Sequence, residues 1–187
     1  MSKFILGIVV TLVVMAIGFF CYTRLGFAPI AADENAGSME AFMLGGALDP
    51  SVERHAQHTA FPVEVNTENL TTGMKLYVMN CAVCHGDMEK KPSAIGQAMY
   101  PKAPQFIQRN RGLHDPGWFT FYEIQHGIRR TGMPSFGKLL GDDDIWKLTA
   151  FLENIGKLPE AVLQQVPGAG MAAEPPAEAP APKPKRK

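Results

Sequence analysis

Five consecutive residues, Cys81-Ala82-Val83-Cys84-His85, constrain this chain more than any other stretch of it. C-x-x-C-H is the attachment pattern of a c-type haem. On a helical turn the two cysteines stand three positions apart and His85 lies four from Cys81, so all three side chains leave from one face. Thioether bonds through Cys81 and Cys84 can then pin one edge of a porphyrin while the imidazole of His85 takes the iron from one side. A bare C-x-x-C also serves thioredoxin-like redox pairs and zinc sites. Zinc requires further ligands at fixed spacing, and no second C-x-x-C follows; a thioredoxin-like pair requires a βαβ pattern that the flanking sequence lacks. The cofactor expected is therefore one haem c with its iron.

The amino end sets the second constraint. At 187 residues the length favours one folded domain, and the hydrophobic addition to it lies at the front. Phe4 to Tyr22 carries no charge, and as a helix its 19 residues span about 28 Å, close to the ~30 Å hydrocarbon core of a bilayer. Residues 1–24 are read as a transmembrane anchor or uncleaved signal. Lys3 and Arg24 flank the run and orient it only weakly. Haem attachment outside the cytoplasmic membrane decides orientation better: it puts the bulk of the chain on the periplasmic side of a bacterial inner membrane. A cleaved signal peptide would use the small residues Ala28, Ala31 and Ala32. The apolar run exceeds the usual signal core of about 7–15 residues, which favours a retained anchor. Cys21 follows the bulky Phe20, a poor lipoprotein context, and reads as a thiol buried in the bilayer.

The formal net charge is zero but unevenly spread. Residues 33–69 hold seven acids (Asp33, Glu34, Glu40, Asp49, Glu53, Glu64, Glu68) against Arg54 alone, whereas residues 70–159 hold eleven Lys/Arg against eight Asp/Glu. A mildly basic haem-bearing part suits docking with acidic partners. Lys90, Lys91, Lys102 and Lys138 are candidates for steering encounter, beside the plainer reading of a solvated surface. Nothing points to nucleic acid or to a small-molecule substrate.

Residues 25–69 form a periplasmic connector with turn-formers at Gly45-Gly46, Asp49-Pro50 and Phe61-Pro62 and an apolar patch from Met39 to Leu48. Its acidic part, if fully flexible, would reach roughly 33 Å. The patch, and the alternation of Phe61, Val63 and Val65 in a short extended run, favour partial docking instead. His55 and His58 read as surface histidines rather than a metal pair. Residues 70–159 read as helical: Leu70, Met74, Tyr77, Val78 and Cys81 repeat at helical spacing with Asn69 as N-cap. Asp115-Pro116 opens a second helix that Gly127 closes. A last helix follows Gly141, with Asp142 to Asp144 at its amino end, Gly156 as its stop, and Ile145, Leu148, Phe151, Leu152 and Ile155 as its buried stripe. Residues 160–187 are expected to form a disordered Ala/Pro-rich tail with a basic end, Lys183-Pro184-Lys185-Arg186-Lys187.

An electron-transfer iron held by His85 needs a sixth ligand, and Met133 in Thr131-Gly132-Met133-Pro134-Ser135-Phe136 is the choice. Gly and Pro around it favour a loop, and the 48 positions from His85 leave ample chain to wrap round a haem. A thioether paired with His raises the reduction potential and closes the iron to oxygen or peroxide. Met88 sits too near the attachment helix; Met99, His114 and His126 remain alternatives.

The region from about residue 70 to 158 resembles the monohaem class I cytochromes c, especially the membrane-anchored bacterial forms. The resemblance rests on Gly73 and Tyr77 ahead of Cys81-Ala82-Val83-Cys84-His85-Gly86, on Ala103-Pro104, on Gly127-Ile128-Arg129-Arg130-Thr131-Gly132-Met133-Pro134, and on Asp144-Ile145-Trp146. It implies an all-α class I cytochrome c fold around one covalently attached haem. First and last helices should cross closely, Gly73 and Tyr77 against Trp146 and Phe151. It also implies a proline carbonyl orienting the imidazole of His85, from Pro104 or alternatively Pro101. The function it implies is single-electron transfer between a quinol-oxidising complex and a terminal oxidase, reductase or photosynthetic centre, with no enzymatic role. Such a chain would act as a free carrier or as a subunit of a respiratory or photosynthetic assembly. The competing class is a haem enzyme or gas sensor with an open iron position.

Overall fold

Apolar residues at helical spacing decide the architecture. The computed structural model describes residues 2–27, 31, 37–109 and 112–165, all helix, turn and loop, with no strand among them. In chain order the helices are α1 (Ser2–Arg24), α2 (Ser38–Gly45), α3 (Leu48–His55), α4 (Thr67–Asn80), α5 (Ala82–His85), α6 (Ala94–Ala98), α7 (Phe106–Arg109), α8 (Gly117–His126), α9 (Asp142–Glu153) and α10 (Glu160–Leu163).

Helix α1 has 23 residues with mean hydropathy 2.8 over its most apolar window and no buried residue. It is long and apolar enough to cross a membrane, which fits an anchor.

Asn66 opens α4. Its Oδ1 accepts from the backbone N–H of Asn69 at 2.9 Å, satisfying one of the first-turn donors, while the Asn69 amide donates to Glu64 O. The cap is thus Asn66 rather than the expected Asn69, which lies inside the first turn and serves the connector instead. Helix α8 begins at Gly117 with Pro116 in the capping position and no side-chain cap, so Asp115 does not cap it as expected. Gly127 does close it, in the left-handed region at φ +68°. Helix α9 starts after Gly141 but ends at Glu153 with Asn154 as its C-cap, two residues before the expected stop at Gly156. Ile155–Lys157 tightens into a 3-10 turn that keeps Ile155 buried.

The core forms where α4 crosses α9. Met74, Tyr77, Ile145, Leu148 and Phe151 are fully buried at the crossing. Gly73 permits the close approach, because a methyl group there would collide with the main chain of Lys147 and come within 2.8 Å of Phe151 Cβ. Tyr77 packs on Phe151 with ring centroids 5.4 Å apart. Trp146 turns to the other side, stacked on Phe121 at 4.3 Å and edge-on to Phe61 at 5.3 Å. The packed region also reaches past residue 159. Val162 on α10 is fully buried against the α4 side of the core, so the tail expected from residue 160 does not start there. Burying an isopropyl group contributes about 1.5 kcal/mol or more toward holding that short turn in place. The basic end expected at residues 183–187 lies outside the described residues.

Part of the connector is docked. Val52 of α3 is buried near α8, Phe61 packs on Gly117 and Trp146, and His58 stacks on Trp118 with centroids 4.0 Å apart. The Phe61–Val65 run forms no strand; it lies as an irregular strap whose apolar side chains Phe61 and Val63 join the core.

Candidate haem site

The attachment motif is a sharp turn at the end of α4. Cys81 is the last residue whose N–H bonds back into that helix, to Tyr77 O at 2.8 Å. Its own carbonyl starts the next turn by accepting from Cys84 and His85 at 3.0 and 2.9 Å. Cys81, Cys84 and His85 therefore project from one helical turn, as their spacing requires. Among the described residues all cysteines are unpaired, and both thiols of the motif are half-buried. Before attachment, burial first, then the neighbouring Cys84, pushes the Cys81 thiol up to about 12.

The His85 ring is fixed on two sides. Its Nδ1 donates to the carbonyl oxygen of Pro104 at 2.8 Å, and Phe106 stacks on it at 4.6 Å with planes 12° apart. A carbonyl only accepts, so Nδ1 carries the proton and Nε2 is left with a lone pair for a metal. Burial lowers the basicity of this imidazole and the Pro104 bond partly restores it. Pro104, not the alternative Pro101, makes this contact.

Behind the motif lies a polar frame that sequence reasoning missed. Gln105, 6% exposed, donates its amide to Cys84 O at 3.0 Å and Ala103 O at 2.8 Å, and its Oε1 accepts from Ser93 N at 2.7 Å. Ser93 Oγ donates to Val83 O at 2.5 Å, and Tyr77 donates its hydroxyl to Gly86 O at 2.7 Å. Gly86 sits at φ +91°, and a methyl group there would meet Gln105 Oε1 at 2.9 Å. A buried glutamine twenty residues after the motif carries no sequence signal; its role emerges only from the fold.

Met133 lies in the loop between α8 and α9, half-buried against the core. Its N–H donates to Thr131 Oγ1 at 3.1 Å and its carbonyl accepts from Ile128 N at 3.2 Å, so both flanking peptides are set. Gly127 packs on the Pro134 carbonyl, and Ser135 Oγ donates to Gln125 O at 2.6 Å, closing the loop on α8. Of the alternatives, His114 and His126 are exposed, Met88 packs on the core, and Met99 lies against Gly132.

This donor set fits a haem. Two thiols can bond the porphyrin edge, and one imidazole presented through Nε2 with a thioether on a separate loop matches the two positions left on an iron whose four equatorial donors come from the porphyrin. No group of three or more His, Cys, Asp or Glu that could hold a bare ion is gathered among the described residues. His55 bonds to Ser51 O and His58 to Glu53 O, so neither is aimed at a shared metal.

An all-helical fold closed by the α4–α9 crossing around a C-x-x-C-H turn defines a class I c-type cytochrome. Residues 68–152 match the family model described as cytochrome C oxidase, cbb3-type, subunit III. That region belongs to the c-type cytochrome family, carries haem c, and serves electron transport.

Proposed function

We propose that this chain is a membrane-tethered electron carrier that takes single electrons from a quinol-oxidising complex and passes them to a terminal acceptor. Cys81 and Cys84 hold the haem by thioethers, His85 and Met133 are the axial ligands, and Pro104 orients His85. The bound haem supplies the Fe(III)/Fe(II) couple. The protein's residues do the rest: Pro104 and Phe106 fix one ligand, Thr131 and Ile128 shape the loop of the other, and the apolar core keeps water from the iron. The observation that carries the reading is the 2.8 Å bond from His85 Nδ1 to Pro104 O, since it leaves Nε2 free at the attachment turn. The haem-bearing residues are placed on the periplasmic side of a bacterial inner membrane, because c-type attachment occurs there.

A second reading, permanent membership of a respiratory or photosynthetic complex, draws support from the subunit description of the matching family and from the apolar α1. Purification in mild detergent separates the two: stoichiometric co-migrating subunits support membership, and a lone haem protein supports the free carrier. Absorption spectra test the chemistry common to both. A thioether-to-iron charge-transfer band that disappears in Met133→Ala is expected. A wild type without that band, binding carbon monoxide freely when reduced, would point to an open-iron enzyme or sensor.

A further inference from the structure

Residues 93–104 run from the attachment turn to the Met133 loop. At the first end, Ser93 bonds to Val83 O, Ala103 N donates to Gly96 O at 2.9 Å, and Gly96 is pressed so closely on the Cys84 carbonyl that no side chain fits between them. Helix α6 is therefore seated on the haem attachment turn. Met99 follows it directly as the C-cap, with extended backbone and a half-buried side chain.

At the other end, that side chain lies along Gly132. A methyl group on Gly132 would come within 2.8 Å of Met99 Cε, 2.9 Å of Sδ and 3.8 Å of Cγ. The hydrogen bonds that shape the loop are made by Ile128, Thr131 and Met133, while Gly132 itself is exposed and follows Arg130 at φ +66°. The turn preceding Met133 is thus held from inside by its own bonds and from outside by one thioether. An unbranched, polarizable side chain can follow a bare glycine Cα closely.

We infer that Met99 is a positioning residue: packed on Gly132, it clamps the Thr131–Pro134 loop to the attachment turn and so keeps Met133 on the iron. The inference rests on the proposed ligation by Met133. Contact area is the requirement, so leucine should serve in place of Met99 and alanine should not.

The test uses the full-length, haem-loaded protein in detergent, reading the thioether-to-ferric-iron band and the affinity of the ferric form for added imidazole, which competes with Met133. Met99→Ala should bind imidazole about tenfold more tightly than wild type, equivalent to about 1.4 kcal/mol of lost loop closure. Met99→Leu should stay within about twofold. Met99→Ala with haem loaded, helix content unchanged and wild-type imidazole affinity would overturn the inference. If that variant fails to accumulate, Met99→Val, which lacks the Sδ and Cε that reach Gly132, decides: an unaltered band and wild-type imidazole affinity overturn it equally. A wild type lacking the band removes the Met133 reading and this inference together, whereas a normal wild-type band with silent Met99 variants removes this inference alone.

Discussion

Tyr77 donates its hydroxyl hydrogen to the carbonyl oxygen of Gly86 at 2.7 Å, tying the middle of α4 to the residue that follows His85. The ring is fully buried, and burial, with the charge of Asp87 nearby, holds the phenol well above its ordinary ionisation range, so the donor persists at any working pH. Tyr77→Phe keeps the packing on Phe151 and strands a buried carbonyl. A loss of about 1 kcal/mol is expected, read as a lower denaturant midpoint with unchanged slope. An unchanged midpoint would show that water replaces the bond.

Gly73 is the sharper test of the helix crossing. A methyl group there meets the Lys147 main chain rather than a movable side-chain tip, so relief requires α4 and α9 to separate. Gly73→Ala should destabilise by about 1–3 kcal/mol despite alanine's better helix propensity, and Gly73→Val should lower the yield of haem-loaded protein. Stability equal to wild type in Gly73→Ala would mean that the crossing is looser than described.

Local signals made the attachment turn, the α4 and α9 stripes and the Gly127 cap legible in the sequence, because spacing alone sets which side chains share a face. Pro104 was reached through family resemblance, and in the structure its carbonyl oxygen accepts from His85 Nδ1. Long-range relations were not legible. Gln105 bridges Cys84 and Ser93, Met99 meets Gly132, and Val162 returns to the core from beyond the expected boundary, each through contacts that no local pattern encodes. Helix ends also shifted by a few residues, since Asn66 and Asn69 are equally good caps in isolation and only the Glu64 carbonyl distinguishes them.

Ligand identity should set the potential. A His/Met pair favours the reduced iron relative to a bis-histidine pair. Met133→His, if the loop accommodates the ring, should lower the midpoint potential and abolish the thioether band while keeping a closed, six-coordinate spectrum. A redox titration checks this, and an unshifted potential would exclude Met133 as the ligand in the wild type.

Glu123 on α8 makes stability depend on pH. Burial, then the charges of Asp115 and Asp49, push its carboxyl up to about 7 from an ordinary 4.5. The folded state keeps this proton up to about pH 7, whereas the unfolded chain releases it near 4.5. Between those values the folded form binds more protons, and this group's contribution falls as pH rises. Glu123→Gln removes the dependence. Its melting temperature should match wild type near pH 4.5 and exceed it above pH 7, as thermal melts across that range will show. A wild-type advantage above pH 7 would mean that the ionised carboxylate has a stabilising partner.

The docked part of the connector governs how freely the haem-bearing region hangs from α1. Phe61 fills the space over Gly117 and meets Trp146 edge-on, while Val52, 2% exposed, and the His58–Trp118 stack hold the preceding turn. Phe61→Ala removes the largest of these contacts, and about 3 kcal/mol of packing with it. Residues 56–66 have few backbone hydrogen bonds of their own, so once undocked they should open to protease. Limited proteolysis of Phe61→Ala should cut near there before the haem-bearing helices unfold, releasing a coloured fragment from the membrane, whereas wild type should resist under the same conditions. Equal resistance would mean that Val52 and His58 suffice, and Val52→Ala combined with Phe61→Ala should then expose the site.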